Sequence, residues 1–132
     1  MKELRNTKQR EEVLNAVRTL MYHPTAEEVY LDVSRKNPSI SKGTVYRNLN
    51  LLTQLGEISK ISMPGSEPDR FDHITEENHH HAFCRCCKRL FDYELDEELH
   101  YEGHVIDKDF TVEKSQLILT GICNDCLEKN KE

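Results

Sequence analysis

Ser41-Lys42-Gly43-Thr44-Val45-Tyr46-Arg47-Asn48-Leu49-Asn50-Leu51-Leu52-Thr53-Gln54-Leu55-Gly56 is the stretch whose reading decides the fold. Ser41 can cap a helix in which Val45, Leu49 and Leu52 form one apolar stripe, and Gly56 supplies the C-terminal stop. The other face carries Lys42, Thr44, Tyr46, Arg47 and Asn50. After Gly56, Glu57-Ile58-Ser59-Lys60-Ile61 alternates polar and apolar, Pro64-Gly65 marks a turn, and Arg70-Phe71-Asp72 resumes as a second strand. Upstream, Thr7 precedes an amphipathic run from Lys8 to Met21 with Val13, Val17 and Leu20 at helical spacing, which predicts a first helix. Thr25 followed by Glu28 is a capping-box pattern that opens a second helix to about Arg35, and the Asn37-Pro38 step breaks it. Three helices followed by a β-hairpin is the layout of a winged helix. Residues 1–74 are therefore expected to form a winged-helix DNA-binding domain, with wing hairpin and hinge.

Charge divides unevenly along the 132 residues. Residues 1–60 hold ten Lys/Arg against seven Asp/Glu, and residues 61–132 hold eight against seventeen, leaving the whole chain at −6. An acidic protein with a mildly basic N-terminal half is not a sequence-blind nucleic-acid coat, but it accommodates a specific contact made by a few residues. Met1-Lys2-Glu3-Leu4-Arg5 lacks the apolar core of a signal peptide, and no apolar run approaches bilayer length, so a cytoplasmic protein without membrane contact is expected. Beyond the wing, strands at Ala82-Phe83, Leu90 to Tyr93 and Gln116 to Thr120, with a polar helix from about Asp96 to Val105, predict a small α/β unit over residues 75–132. The fold class is mixed α and β. This second unit has few core residues of its own and needs a metal, a partner subunit, or both.

Five cysteines in a reducing compartment point to metal or redox chemistry. Cys84 and Cys87 are separated by two residues, as are Cys123 and Cys126, the spacing that lets a tight turn aim both sulfurs at one ion. Two such pairs complete a closed tetrahedral site for structural Zn²⁺, with no open position for catalysis. Cys86 is a bystander, because pairing it with Cys84 would leave only one intervening residue and strain the turn. His79-His80-His81 lies just before Cys84; in an extended segment His79 and His81 share one face. With Asp72 and Asp92 they offer imidazole and carboxylate without thiolate, a set suited to Fe²⁺ or Mn²⁺. His23, read from spacing alone, is a capping or surface histidine.

Six separated motifs raise the weight on His23. Arg5-Asn6-Thr7-Lys8-Gln9-Arg10, His23-Pro24-Thr25-Ala26-Glu27-Glu28-Val29-Tyr30, Gly43-Thr44-Val45-Tyr46-Arg47-Asn48-Leu49, Arg70-Phe71-Asp72, His79-His80-His81-Ala82-Phe83-Cys84 and the closing cysteine pair together resemble the ferric uptake regulator family along nearly the whole chain. Within it, the peroxide-sensing regulators are the nearest likeness. The resemblance implies a regulatory metal held by His23, Asp72, His79, His81 and Asp92, a homodimer joined through the second domain, and double-stranded, pseudo-palindromic operator DNA as partner. Iron- and zinc-sensing branches more often carry glutamate in place of Asp92 and a further histidine where this chain has Lys114-Ser115-Gln116. In one departure from the family pattern, His73 to Asn78 place six residues between Asp72 and His79, one more than expected.

The resemblance also implies a mechanism. Metal clamps the two domains and fixes the DNA-reading heads; with Fe²⁺ bound, hydrogen peroxide oxidises a histidine ligand, His23 or His79, and the operator is released. Mn²⁺ would repress without sensing. Tyr46 and Arg47 are the expected DNA-reading residues, flanked by Thr44 and Asn50, with Lys42 and Arg18 as phosphate contacts; Arg47 is equally suited to base and phosphate. The alternatives are an iron (Fur-type) or zinc (Zur-type) uptake repressor and, more remotely, a metalloenzyme. No nucleophile, general-base pair or substrate-sized apolar pocket is legible, so neither enzyme activity nor a small-molecule substrate is expected.

Overall fold

Helix α1 runs Lys2–Thr19 in the computed structural model, which describes residues 2–73, 80–93, 105–106, 110–111 and 116–130. It begins well before Thr7, because Lys2-Glu3-Leu4-Arg5 contains neither glycine nor proline and nothing in it halts a helix. Its buried stripe is Val13, Ala16 and Val17. Helix α2 (Ala26–Lys36) starts at the expected capping box: Thr25 Oγ1 accepts from the Glu28 N–H at 3.2 Å, and Glu28 Oε1 accepts from the Thr25 N–H at 3.1 Å. Glu27 and Glu28 in its first turn and Arg35 and Lys36 in its last complement the helix dipole.

Helix α3 (Lys42–Gln54) is capped by Ser41, whose Oγ accepts from the Thr44 N–H at 3.1 Å, and it buries Val45, Leu49 and Leu52. Its end is a Schellman motif: Gly56 is left-handed at φ 76°, its N–H bonds the Thr53 carbonyl, and the Glu57 N–H bonds the Leu52 carbonyl. That motif explains why the wing starts later than the alternation of residues 57–61 suggests. The Glu57 N–H is spent on the helix end, Ile58 turns into the core, and the paired strand β1 is only Ser59–Ile61. Strand β2 (Arg70–Asp72) pairs with it antiparallel, Lys60 opposite Phe71, across a turn with Gly65 at φ 64°. Val13, Val17, Val29, Val33, Ile40, Val45, Leu49, Leu52, Ile58 and Phe71 belong to one core cluster, so the three helices and the hairpin form one winged-helix unit.

The chain divides into two compact units, Met1–Thr75 and Glu76–Glu132. In the second, β3 (His80–Cys84) is the middle strand of three, longer at both ends than the expected Ala82-Phe83. Strand β4 (Leu90–Tyr93) pairs with it antiparallel, and β7 (Ile118–Gly121) pairs with it parallel on the other side. The two-stranded pair β5 (Val105–Ile106) and β6 (Phe110–Thr111) is separate. Most of the helix expected at 96–105 lies outside the described residues, but Val105 itself is strand. Helix α4 (Asn124–Asn130), which the periodicity did not announce, grows out of the second cysteine pair. Phe110, Leu117, Leu119 and Leu127 are apolar yet exposed in the single chain. Among the described residues, no helix is long and apolar enough to cross a membrane.

Candidate metal centres and nucleic-acid face

Cys84 ends β3, and the turn that follows it brings Cys87 back beside it, with the Lys88 N–H bonded to the Cys84 carbonyl and Lys88 itself left-handed at φ 66°. The parallel pairing of β3 with β7 sets Cys84 opposite Gly121, which carries Cys123 and the first turn of α4, with Cys126, to the same place. All four sulfurs lie within 4.8 Å of one another. Cys84 and Cys126 Sγ are 3.7 Å apart and Cys87 and Cys123 Sγ 3.9 Å apart. A tetrahedron with Zn–S bonds of about 2.3 Å has edges of about 3.8 Å, whereas a disulfide would need about 2.05 Å, so the cluster is shaped for a four-coordinate thiophilic ion. The Cys84 thiol is lowered to about 5 by the backbone N–H groups of Cys87 and Cys123, and Arg89 lowers that of Cys87. The Cys126 thiol is raised to about 12 by burial and by its neighbouring sulfurs. The spare Cys86 is exposed.

Among the described residues, each unit brings imidazole and carboxylate groups together. In the first, Asp72 at the end of β2 is 2 % exposed, and its Oδ1 lies 3.6 Å from His23 Nδ1 and 3.7 Å from His73 Nδ1. His73 opens the segment that is one residue longer than the family pattern, and that extra residue is the signal that His73 could enter the site. His23 is positioned by an unusual backbone: Tyr22 and His23 are both left-handed, at φ 64° and 57°. Arg70 holds that turn, its Nη1 donating to the Tyr22 carbonyl at 3.0 Å and the His23 carbonyl at 3.2 Å, while the Phe71 N–H bonds the Pro24 carbonyl. Burial lowers the Arg70 pKa, with Glu28 and Glu67 opposing. The side chain of His23 is largely buried, so the bland reading of it as a surface histidine is corrected.

In the second unit, His81 and Asp92 sit directly opposite each other on β3 and β4, with His81 Nε2 3.5 Å from Asp92 Oδ1. His81 is buried and Asp92 is 47 % exposed. His79 lies outside the described residues. Separations of 3.5–3.6 Å are too long for a hydrogen bond. They match two donors sharing one first-row ion at about 2.1 Å, which stand roughly 3.0 to 3.5 Å apart depending on geometry.

The exposed face of α3 presents Lys42, Tyr46, Arg47 and Asn50, with Thr44 half-buried beside them. Arg47 Nη2 donates to Thr44 Oγ1 at 3.1 Å, and Ser41 Oγ stands 3.0 Å from the same oxygen. Gly43 makes room for this fold-back, since a Cβ there would come within 3.3 Å of Arg47 Nη1. Lys42 Nζ pairs with Glu27 at 3.2 Å, which raises its pKa, and lies 5.5 Å from the centre of the Tyr30 ring. An exposed pair of this kind is screened by solvent and leaves Lys42 able to change partners. Arg18 is exposed in the last turn of α1.

A winged helix in one chain with a tetrathiolate cluster and imidazole–carboxylate pairs defines a winged-helix metalloprotein. The model of the ferric uptake regulator family matches residues 1–120, and the chain belongs to that family. It is 33 % identical over 129 residues to the peroxide-responsive repressor PerR of Staphylococcus epidermidis, covering 96 % of this chain and 83 % of the relative. Against the peroxide operon regulator of Bacillus subtilis the identity is also 33 % over 129 residues, with 96 % and 86 % covered. The crystal structure of the Campylobacter jejuni peroxide stress regulator superposes with a TM-score of 0.73 at 32 % identity, covering 95 % of this chain and 93 % of that one.

Proposed function

We propose that this protein is a metal-dependent transcriptional repressor that senses hydrogen peroxide through a histidine-rich regulatory site. The observation that carries the reading is chemical: one chain holds a closed sulfur cluster and, apart from it, imidazole–carboxylate pairs free of thiolate. Cys84, Cys87, Cys123 and Cys126 hold structural Zn²⁺. His23, Asp72, His79, His81 and Asp92 hold Fe²⁺ or Mn²⁺, and because His23 and Asp72 belong to the winged helix while the others belong to the second unit, binding shifts a hinge equilibrium. Residues 1–74 read DNA and residues 75–132 dimerise, a role that suits the exposed Leu117, Leu119 and Leu127. The dimer meets a pseudo-palindromic operator in the cytoplasm through Tyr46 and Arg47, flanked by Thr44 and Asn50, with Lys42 and Arg18 on phosphates.

Iron, when bound, supplies the peroxide chemistry. The chain's own contribution is to hold His23 and His79 where an imidazole ring takes up oxygen and stops being a ligand. The protein turns over no substrate and is not an enzyme. The testing experiment is operator binding by the zinc-loaded dimer with Fe²⁺, Mn²⁺ or added Zn²⁺, before and after peroxide. Binding with Fe²⁺ and Mn²⁺ that peroxide abolishes only in the iron form supports the reading; binding restored by Zn²⁺ alone would assign an uptake repressor instead.

A further inference from the structure

Arg89 follows the first cysteine turn and reaches across to the second. Its Nε donates to Cys87 Sγ at 3.1 Å, and its Nη2 donates to Cys123 Sγ at 3.2 Å and to Asp125 Oδ2 at 3.2 Å. The guanidinium carbon lies 5.3 Å from the centre of the Phe91 ring, and the Arg89 carbonyl accepts from the Cys84 N–H at 3.0 Å, so both ends of the residue are fixed. Only arginine combines a permanent charge with a planar fork able to serve two sulfurs and a carboxylate at once.

Four thiolates around one Zn²⁺ leave a formal surplus of two negative charges, and groups outside the ligand shell govern how firmly such a site holds its metal. Each N–H directed at a sulfur also draws on the lone pairs that a thiolate needs in order to attack an oxidant. We propose that Arg89 is the outer clamp of the tetrathiolate centre: it ties the two cysteine turns together and keeps Cys87 and Cys123 inert toward peroxide. The proposal rests on the zinc reading above, and it explains how a peroxide sensor keeps its structural site while its histidines respond. The reaction restrained is attack of Sγ on one peroxide oxygen. The O–O bond breaks, sulfur gives up two electrons, hydroxide leaves and a sulfenic acid remains; a second thiolate then displaces hydroxide to form a disulfide, removing two ligands from zinc.

The full-length zinc-loaded protein is compared with its Arg89→Gln, Arg89→Lys and Asp125→Asn variants. Zinc transfer to a chromophoric chelator is timed, and cysteine oxidation by hydrogen peroxide is followed by alkylation and mass spectrometry at matched zinc content. Arg89→Gln is expected to release zinc roughly 10- to 100-fold faster and to oxidise faster at Cys87 and Cys123. Arg89→Lys, which keeps the charge and loses the fork, falls between it and the native chain. Asp125→Asn speeds zinc release by less and leaves thiol oxidation at the native rate, because both sulfur contacts remain. Native zinc release and native oxidation in Arg89→Lys and Arg89→Gln overturn the proposal, and in Arg89→Lys alone if the glutamine variant does not accumulate. Elemental analysis of the native protein separates the two ideas: absence of zinc there overturns the zinc reading and the clamp with it, whereas one zinc per chain with indifferent variants overturns only the clamp.

Discussion

Replacing Arg70 by methionine removes the side chain that holds the left-handed Tyr22-His23 turn while largely refilling its volume. The guanidinium makes two hydrogen bonds to main-chain carbonyls in a place where the residue is 6 % exposed. Hydrogen bonds from a charged donor contribute about 1.5–3 kcal/mol each, and relief of the buried charge offsets part of their loss, so the first unit should lose about 2–4 kcal/mol. Consecutive left-handed residues without glycine are held against a cost of about 1–3 kcal/mol each. If about 2 kcal/mol of the bias toward the ligand-ready backbone disappears, the equilibrium constant for that backbone falls roughly 30-fold, and the apparent Mn²⁺ affinity falls with the competent fraction, by up to that factor. Urea unfolding followed by circular dichroism and Mn²⁺ titration of the zinc-loaded protein measure the two quantities. Native Mn²⁺ affinity in a variant that is destabilised as expected would refute the argument that Arg70 acts through His23.

Other perturbations reach different parts of the molecule. Thr25→Ala removes half of the capping box at α2 and should cost about 1 kcal/mol in urea unfolding, with zinc content unchanged. Cys86→Ser should leave one zinc per chain by elemental analysis, and loss of zinc would assign Cys86 a ligand role. Zinc binding at neutral pH must expel the proton of Cys126, raised to about 12, whereas Cys84, lowered to about 5, is already thiolate. Zinc affinity measured by chelator competition should therefore rise with pH through the neutral range and fall more steeply below about pH 5, where Cys84 protonates as well; an affinity independent of pH would contradict those assignments.

The winged helix was legible because its signals are local. Capping at Thr25 and Ser41, the Val45-Leu49-Leu52 stripe and the stop at Gly56 each depend on residues within one or two turns, and each forms as read. The cysteine cluster was equally legible, since a two-residue spacing fixes which sulfurs a turn can present together. What escaped depends on partners far apart in sequence. The burial of His23 comes from a turn held by Arg70, nearly fifty residues away, through the Tyr22 and His23 carbonyls. Arg89 carries no motif of its own beyond a basic residue just past a cysteine pair. Phe110, Leu117 and Leu119 match a core pattern but are exposed in the single chain, because periodicity records that a face is apolar without recording whether the same chain covers it. The start of α1 was misplaced because a threonine inside a run of good helix formers imitates a cap.

The most direct test is peptide mass spectrometry of the iron-loaded, zinc-replete protein after a brief pulse of hydrogen peroxide, with operator binding measured on the same sample and a manganese-loaded control. The account predicts a gain of one oxygen on the peptide containing His23 or that containing His79, in step with loss of operator binding, and neither change with manganese. Loss of operator binding accompanied by cysteine oxidation and zinc release, with both histidine peptides unmodified, would contradict it.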